Sequence, residues 1–209
     1  MARYDFLLET YGTERLKTLG VWAQVPVERL RMRSEPRARS PLEHMVHQCV
    51  SEDGWMRGML GIAIAREALP PEETSGALIA HYAACSADRL EAVARMSDEW
   101  FEEETQFFDV RRSRAWVLTR RLTHTAHHRG QLTAAIRSWG QALYSTYGPT
   151  ADTGGLPKDG ARTIYRYASA EATLADAGSA PALPTPGDRA PGCSRSAQSA
   201  ARGAAAARP

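Results

Sequence analysis

Four long segments of this 209-residue chain repeat apolar residues with the 3.6-residue period of an amphipathic α-helix. We predict helices over residues 4–23, 41–61, 70–96 and 113–139. The acidic and aromatic segment 100–110 alternates too briefly to predict a strand. Because each amphipathic helix must bury its apolar face against another element, the sequence predicts an all-α fold, a four-helix bundle.

The composition divides the chain into three parts. Residues 1–140 contain the four helices, and residues 141–177 form an extension rich in glycine and proline, which we predict to be non-helical and packed on the bundle. The side chains that we expect to pin this extension are Ile164, Tyr165 and Tyr167. Residues 178–209 are mainly Ala, Pro, Gly, Ser and Arg. Such a tail cannot bury enough apolar surface to offset its ordering entropy, so we predict that it is disordered.

The charge and the apolar pattern exclude several classes of protein. The net charge of +2 argues against a nucleic-acid binder, because such domains are usually strongly basic. No apolar run approaches the about 20 residues that span a membrane, and the N-terminus lacks the apolar core of a signal peptide. The three cysteines show no paired spacing. We therefore expect a cytoplasmic protein without a disulfide framework.

Two pairs of histidines are spaced as neighbours on a helix. His124 and His128 lie four residues apart, which stacks two imidazoles one turn apart on one face and offers two ligands to a divalent transition metal. His44 and His47 lie three apart in the second predicted helix. We take His47 as the best third ligand, because small Ser51 one turn later leaves room, and His44 as its rival. Three nitrogens would leave a position open for water or substrate.

The alternative is that the histidine spacing arises by chance and no metal binds. A His-x-x-x-His pair on a helix is common, so the metal hypothesis depends on the second pair on another core helix. His127 points about 100° away from His128 on a helix, so we expect it at the surface or in a hydrogen bond between helices.

Two stretches of the chain resemble the sequence motifs of one family. The residues His124-Thr-Ala-His-His-Arg-Gly-Gln131 look like the motif of the last bundle helix in the DinB-like family. The stretch His47-Gln-Cys-Val-Ser-Glu52, followed by Trp55, is similar to the family's second helix, in which an acid follows a histidine by five residues and aromatics come next. This register favours His47 over His44. The resemblance covers about residues 5–140.

The resemblance implies both a metal site and a chemistry. In this superfamily, which includes bacillithiol S-transferases and mycothiol-dependent maleylpyruvate isomerases, three histidines of a four-helix bundle bind a divalent metal, often zinc or nickel. The corresponding residues here are His47, His124 and His128. The implied activity is that of a transferase or isomerase using a low-molecular-weight thiol, with a metal-bound thiolate or water as the nucleophile. The alternative is a non-catalytic metal-binding bundle that acts in stress response, sensing or partner binding. The resemblance also makes a homodimer plausible.

Other charged and polar residues have two interpretations each. Glu52 is either a partner in a helix pair or an acceptor for an imidazole N–H, and Gln131 either contacts the site or caps a buried group. Arg129 either lies near the metal or pairs with an acid on a neighbouring helix, and we favour the pair. The arginines at positions 111, 112, 114, 120 and 121 predict a solvated face; the alternative is that some of them attract an acidic thiol.

Overall fold

Four long helices form a bundle in the computed structural model, which describes residues 3–175 and 180–185. The long helices are α1 (Asp5–Trp22), α2 (Pro41–Gly58), α3 (Ser75–Ala94) and α5 (Arg114–Ser138). The short elements are α4 (Asp98–Glu102), β1 (Glu104–Phe107), β2 (Val110–Ser113) and α6 (Ala170–Ala175). The prediction of an all-α bundle is confirmed. The predicted disorder of 178–209 falls almost entirely outside the described residues. Within the described part of the chain, no helix has the length and apolar character to cross a membrane.

Local hydrogen bonds set the ends of the helices. At the start of α2, the Ser40 side chain accepts from the Glu43 amide at 3.3 Å, and the Glu43 carboxylate accepts from the Ser40 amide at 2.7 Å. Helix α2 ends three residues earlier than predicted because the chain turns through Gly61, whose φ is +71°. Helix α3 begins after Thr74 and not at the preceding prolines, because the Thr74 hydroxyl accepts from the Ala77 amide at 3.2 Å.

A β-hairpin, which the sequence did not predict, occupies residues 104–113. Its strands pair antiparallel, with Phe107 opposite Val110. The Phe107 ring lies 5.3 Å from the Trp55 ring of α2 and 5.0 Å from the Trp116 ring of α5, both edge-on. Aromatic contacts to Trp55 and Trp116 on two helices therefore stabilise the hairpin. The short alternation of residues 104–113 does not reveal these contacts, so the sequence pattern did not predict the hairpin.

The extension packs on the bundle and is not wholly irregular, since it ends in the short helix α6. Helix α6 packs against α1 and α3, and Leu143 and Ala170 are buried in the apolar core. Ile164 and Ser145 exchange two hydrogen bonds, of 2.8 and 3.0 Å. Tyr165, by contrast, is 46% exposed. The extension is thus held by buried apolar residues, by the Arg137–Asp152 ion pair at 2.6 Å and by hydrogen bonds such as that from Tyr147 to Glu14 at 2.9 Å, whereas Tyr165 remains at the surface.

The bundle has two apolar clusters and a buried carboxylate that touches both. The first contains Leu19, Trp22, Met45, Leu78, Tyr82, Leu132 and Ile136, among others. The second contains Leu7, Tyr11, Met56, Val93, Val117 and Leu118, among others. Glu52 of α2, only 1% exposed, accepts hydrogen bonds from Tyr11 at 2.6 Å and Tyr82 at 3.0 Å. Burial and the Glu52 charge raise the pKa of both tyrosines well above its usual value, so both remain donors.

Two buried arginines complete the surroundings of Glu52. Arg89 of α3 lies 3.5 Å and Arg121 of α5 lies 3.3 Å from its carboxylate, and each arginine is nearly inaccessible to solvent. With the two tyrosines, Glu52 is bonded to every other long helix. A buried charge is tolerated only when paired and hydrogen-bonded, so these contacts depend on one another.

We predict that Glu52→Ala will lower the free energy of unfolding by about 3–5 kcal/mol, because it removes the buried carboxylate that pairs with Arg121 and leaves Arg89 with Asp53 as its acid. Urea unfolding followed by circular dichroism measures this change. The control is Glu91→Ala, which removes an ion pair to Arg95 on the exposed surface of α3 and is expected to cost less than about 0.5 kcal/mol. Equal losses in the two variants would contradict the role of Glu52.

Candidate metal centre

Three histidines from two helices converge at one point of the bundle. His47 projects from α2, and His124 and His128 project from α5; one ring nitrogen of each lies within 4.8 Å of the other two. Nε2 of His124 and Nε2 of His128 are 3.1 Å apart. A tetrahedral zinc ion with about 2.0–2.1 Å bonds spaces its nitrogen ligands by about 3.3 Å. The His124–His128 pair already has this spacing, and His47 reaches the ion with a small side-chain adjustment.

Hydrogen bonds fix the protons on two of the imidazoles. Arg121 donates from Nη1 to Nδ1 of His124 at 2.7 Å. Because a guanidinium only donates, the His124 proton lies on Nε2 and faces the acceptor Nε2 of His128. The His128 proton then lies on Nδ1, which donates to Oε1 of Gln131 at 2.8 Å. A single directed chain therefore runs from Arg121 through both imidazoles to Gln131.

The donor set fits a divalent metal, with one rearrangement. The Nε2 lone pair of His128 faces His124, and Gln131 holds the Nδ1 proton of His128, the usual support for a metal-binding histidine. If His124 held a metal through Nε2, its proton would lie on Nδ1 and Arg121 would no longer donate to that nitrogen. Arg121 has other partners, since it also donates to Ser51 Oγ at 3.1 Å and to the Gln48 carbonyl at 3.3 Å.

Burial keeps these imidazoles neutral at physiological pH. It lowers the pKa of His124 to about 3, assisted by the adjacent Arg121 cation and the neighbouring histidines. Burial also lowers the pKa of His128 to about 4, although the hydrogen bond to Gln131 acts in the opposite direction. The pKa of His47 is lowered by burial and by the charges of Arg39 and Arg121. A neutral imidazole has the lone pair that a metal requires, so the electrostatics suit a ligand set.

The remaining histidines lie outside this group. His44 has its ring 5.3 Å from that of His128, but it does not join the set of converging nitrogens. The exposed ring of His127 lies 5.0 Å from His128 and also stays outside. His81 of α3 contacts the Glu67 carbonyl at 2.9 Å. The structure thus brings His47, and not its rival His44, to His124 and His128.

The other candidate residues have separate surroundings. Gln131 contacts His128 directly, as described. Glu52 contacts no histidine and reaches His124 only through Arg121. Arg129 pairs with Glu14 of α1, far along the chain, and does not approach the three imidazoles through any described hydrogen bond.

Two residues at the site escaped the sequence analysis. Arg121 was expected on a solvated face but is 2% exposed. Its position three residues before His124, one helical turn, was a usable signal. Trp55 was noted only as part of a motif; its ring stacks on His124 with centroids 5.5 Å apart and planes at 16°. This tryptophan covers one face of a candidate ligand.

Comparison with known proteins agrees with this architecture. The DinB family model matches residues 3–157. A DinB-like protein from Bacillus cereus has a similar structure, with a TM-score of 0.59 and 19% identity over 68% of this chain and 95% of that one. The DinB-like protein YjoA from Bacillus subtilis has a TM-score of 0.54 and 14% identity over 67% and 96% of the two chains. Identities this low show a shared fold alone. No curated protein matches the sequence. Because the family model spans most of its length, the chain belongs to the DinB family.

Proposed function

We propose that this protein binds a divalent metal, zinc or nickel, through His47, His124 and His128, and acts as a transferase or isomerase that uses a low-molecular-weight thiol. The convergence of these three imidazoles from two helices carries the proposal. Among residues 3–175 and 180–185, no fourth histidine, cysteine or carboxylate joins the group. Closed sites with four protein ligands are typical of structural zinc, whereas three ligands and an open position are typical of catalytic zinc.

The residues around the centre hold its side chains in position. A divalent metal bound there would supply a Lewis acid that lowers the pKa of a thiol. Gln131 holds the Nδ1 proton of His128, which fixes the orientation of that ring. Trp55 stacks on one face of the His124 ring and limits the directions in which that ring can turn. Arg121 bonds to the buried Glu52 and to Ser51 of α2, so it ties the start of α5 to the core of the bundle next to His124.

The thiol in this proposal comes from outside the protein. Burial raises the pKa of Cys49 to about 12 and also raises that of Cys85. Both cysteines are buried, so neither offers a thiolate at neutral pH. The lack of an internal nucleophile among the described residues also favours the second candidate function, a non-catalytic metal-binding bundle that serves in sensing, stress response or partner binding. Turnover in the presence of an added thiol separates the two.

We predict that His128→Ala will weaken metal affinity by more than about 100-fold, because the loss of a supporting hydrogen bond alone costs 10–100-fold. His127→Ala, a neighbouring exposed histidine outside the group, should keep full metal content. His47→Ala and His44→Ala form a second matched pair, with loss expected only in the first. Elemental analysis of protein purified without an affinity tag measures the metal per chain. Equal metal content within either pair would show that the ligand assignment is wrong.

We also predict that the metal-loaded protein will consume an electrophile, such as a maleyl or epoxide compound, only when a low-molecular-weight thiol is present. Chelator-treated protein and His128→Ala are the controls, and both should be inactive because they lack the metal. The measurement is the disappearance of the electrophile, followed by chromatography over a panel of thiols. Stoichiometric metal binding without turnover by any thiol would favour the non-catalytic bundle.

A further inference from the structure

A pocket of about 720 Å³ has two lining residues that contact His128. Its lining consists of Ser34, Arg37, Ala38, Arg39, His44, Gln131, Ala134, Ala135 and Ser138. Two of these residues connect it to the centre: Gln131 is hydrogen-bonded to His128, and the His44 ring lies 5.3 Å from the His128 ring. The volume is in the range of small-molecule sites, and the pocket is separated from His128 only by the side chains of His44 and Gln131.

The lining is positively charged. It contains two arginines and no acidic residue. Arg37 forms an ion pair of 3.5 Å with the exposed side chain of Glu35. Arg39 is exposed, and no carboxylate in the described part of the chain lies within ion-pair distance of it. Arg39 lines the same pocket as His44 and Gln131, so its charge faces the space next to His128.

Two polar side chains add neutral hydrogen-bonding groups to this charge. Oε1 of Gln131 already accepts from His128, so the amide NH₂ of Gln131 is left to donate toward the pocket. His44 is 5% exposed, and its Nδ1 has no hydrogen-bond partner.

We propose that this pocket binds the anionic group of a small-molecule substrate, a carboxylate or a phosphate, and so places the rest of the molecule at the three histidines. Arg39 and Arg37 supply the positive charge, and Gln131 supplies N–H donors. The short side chains Ala134 and Ala135 leave space for a small hydrocarbon segment. The inference rests on the proposed function, because the pocket serves turnover only if the reaction takes place at the histidines.

The test is calorimetric titration of the full-length protein, both metal-free and zinc-loaded, with succinate, inorganic phosphate and the uncharged 1,4-butanediol. At least one anion should bind, more weakly at high salt, and the diol should not. Arg39→Gln should weaken anion binding about tenfold, the loss expected for one charge-assisted contact. Arg31→Gln is the matched control, because Arg31 is an exposed arginine of the same connector that does not line this pocket. Comparison of succinate with phosphate identifies the preferred anion.

Failure of the pocket can be told apart from failure of the proposed function. If neither anion binds, or if Arg39→Gln and Arg31→Gln bind equally well, the anion site is wrong whatever the activity. If Arg39-dependent binding occurs without any thiol turnover, the anion site stands and the enzymatic proposal falls. Where turnover does occur, mercaptosuccinate should be preferred to mercaptoethanol, and Arg39→Gln should remove that preference; equal use of both thiols by the wild-type protein would overturn the anion site alone.

Discussion

The buried carboxylate of Glu52 is the constraint on which the rest of the bundle depends. It bonds to Tyr11 of α1, to Tyr82 and Arg89 of α3 and to Arg121 of α5, so one side chain connects all four long helices. An apolar core alone tolerates small shifts of one helix along another, because dispersion contacts are not directional. A buried ion group tolerates them poorly, since each displaced partner becomes an unpaired buried charge or donor. The ion group therefore fixes the position of α2 relative to α5 along the helix axes.

This constraint reaches the candidate metal centre through Arg121. The same guanidinium that pairs with Glu52 donates to Nδ1 of His124, and the two helices that Glu52 and Arg121 join are those that carry the three histidines. Convergence of imidazoles from separate helices requires the helices to keep their register, which the core ion pair provides. A metal held through Nε2 of His124 would release the hydrogen bond from Arg121 to Nδ1, and Arg121 would keep Glu52, Ser51 and the Gln48 carbonyl as partners.

The sequence predicted the parts of the structure that depend on contacts between residues close together in the chain. Helical period alone located the long helices, and the four-residue spacing of His124 and His128 placed two imidazoles together on one face. The choice of His47 over His44 came from the small Ser51 one turn later and from the register of the family that the chain resembles, because both histidines lie in the same helix. The hairpin and the role of Arg121 were missed, because each depends on partners distant in the chain; Arg121 lies 69 residues from Glu52. An argument from residue type places an arginine at the surface, unless the buried carboxylate that pairs with it, here Glu52, is already known.

The two ends of the site are lined by different side chains of α2. At one end Trp55 of α2 stacks on His124 of α5, and at the other His44 of α2 lies against His128. The eleven residues from His44 to Trp55 span about 16 Å of helix. A molecule lying along this line meets the arginine-lined pocket first, then the imidazoles, then an aromatic surface. Such an order favours an anionic group at the His128 end and an apolar group at the His124 end, with the reacting atoms between them.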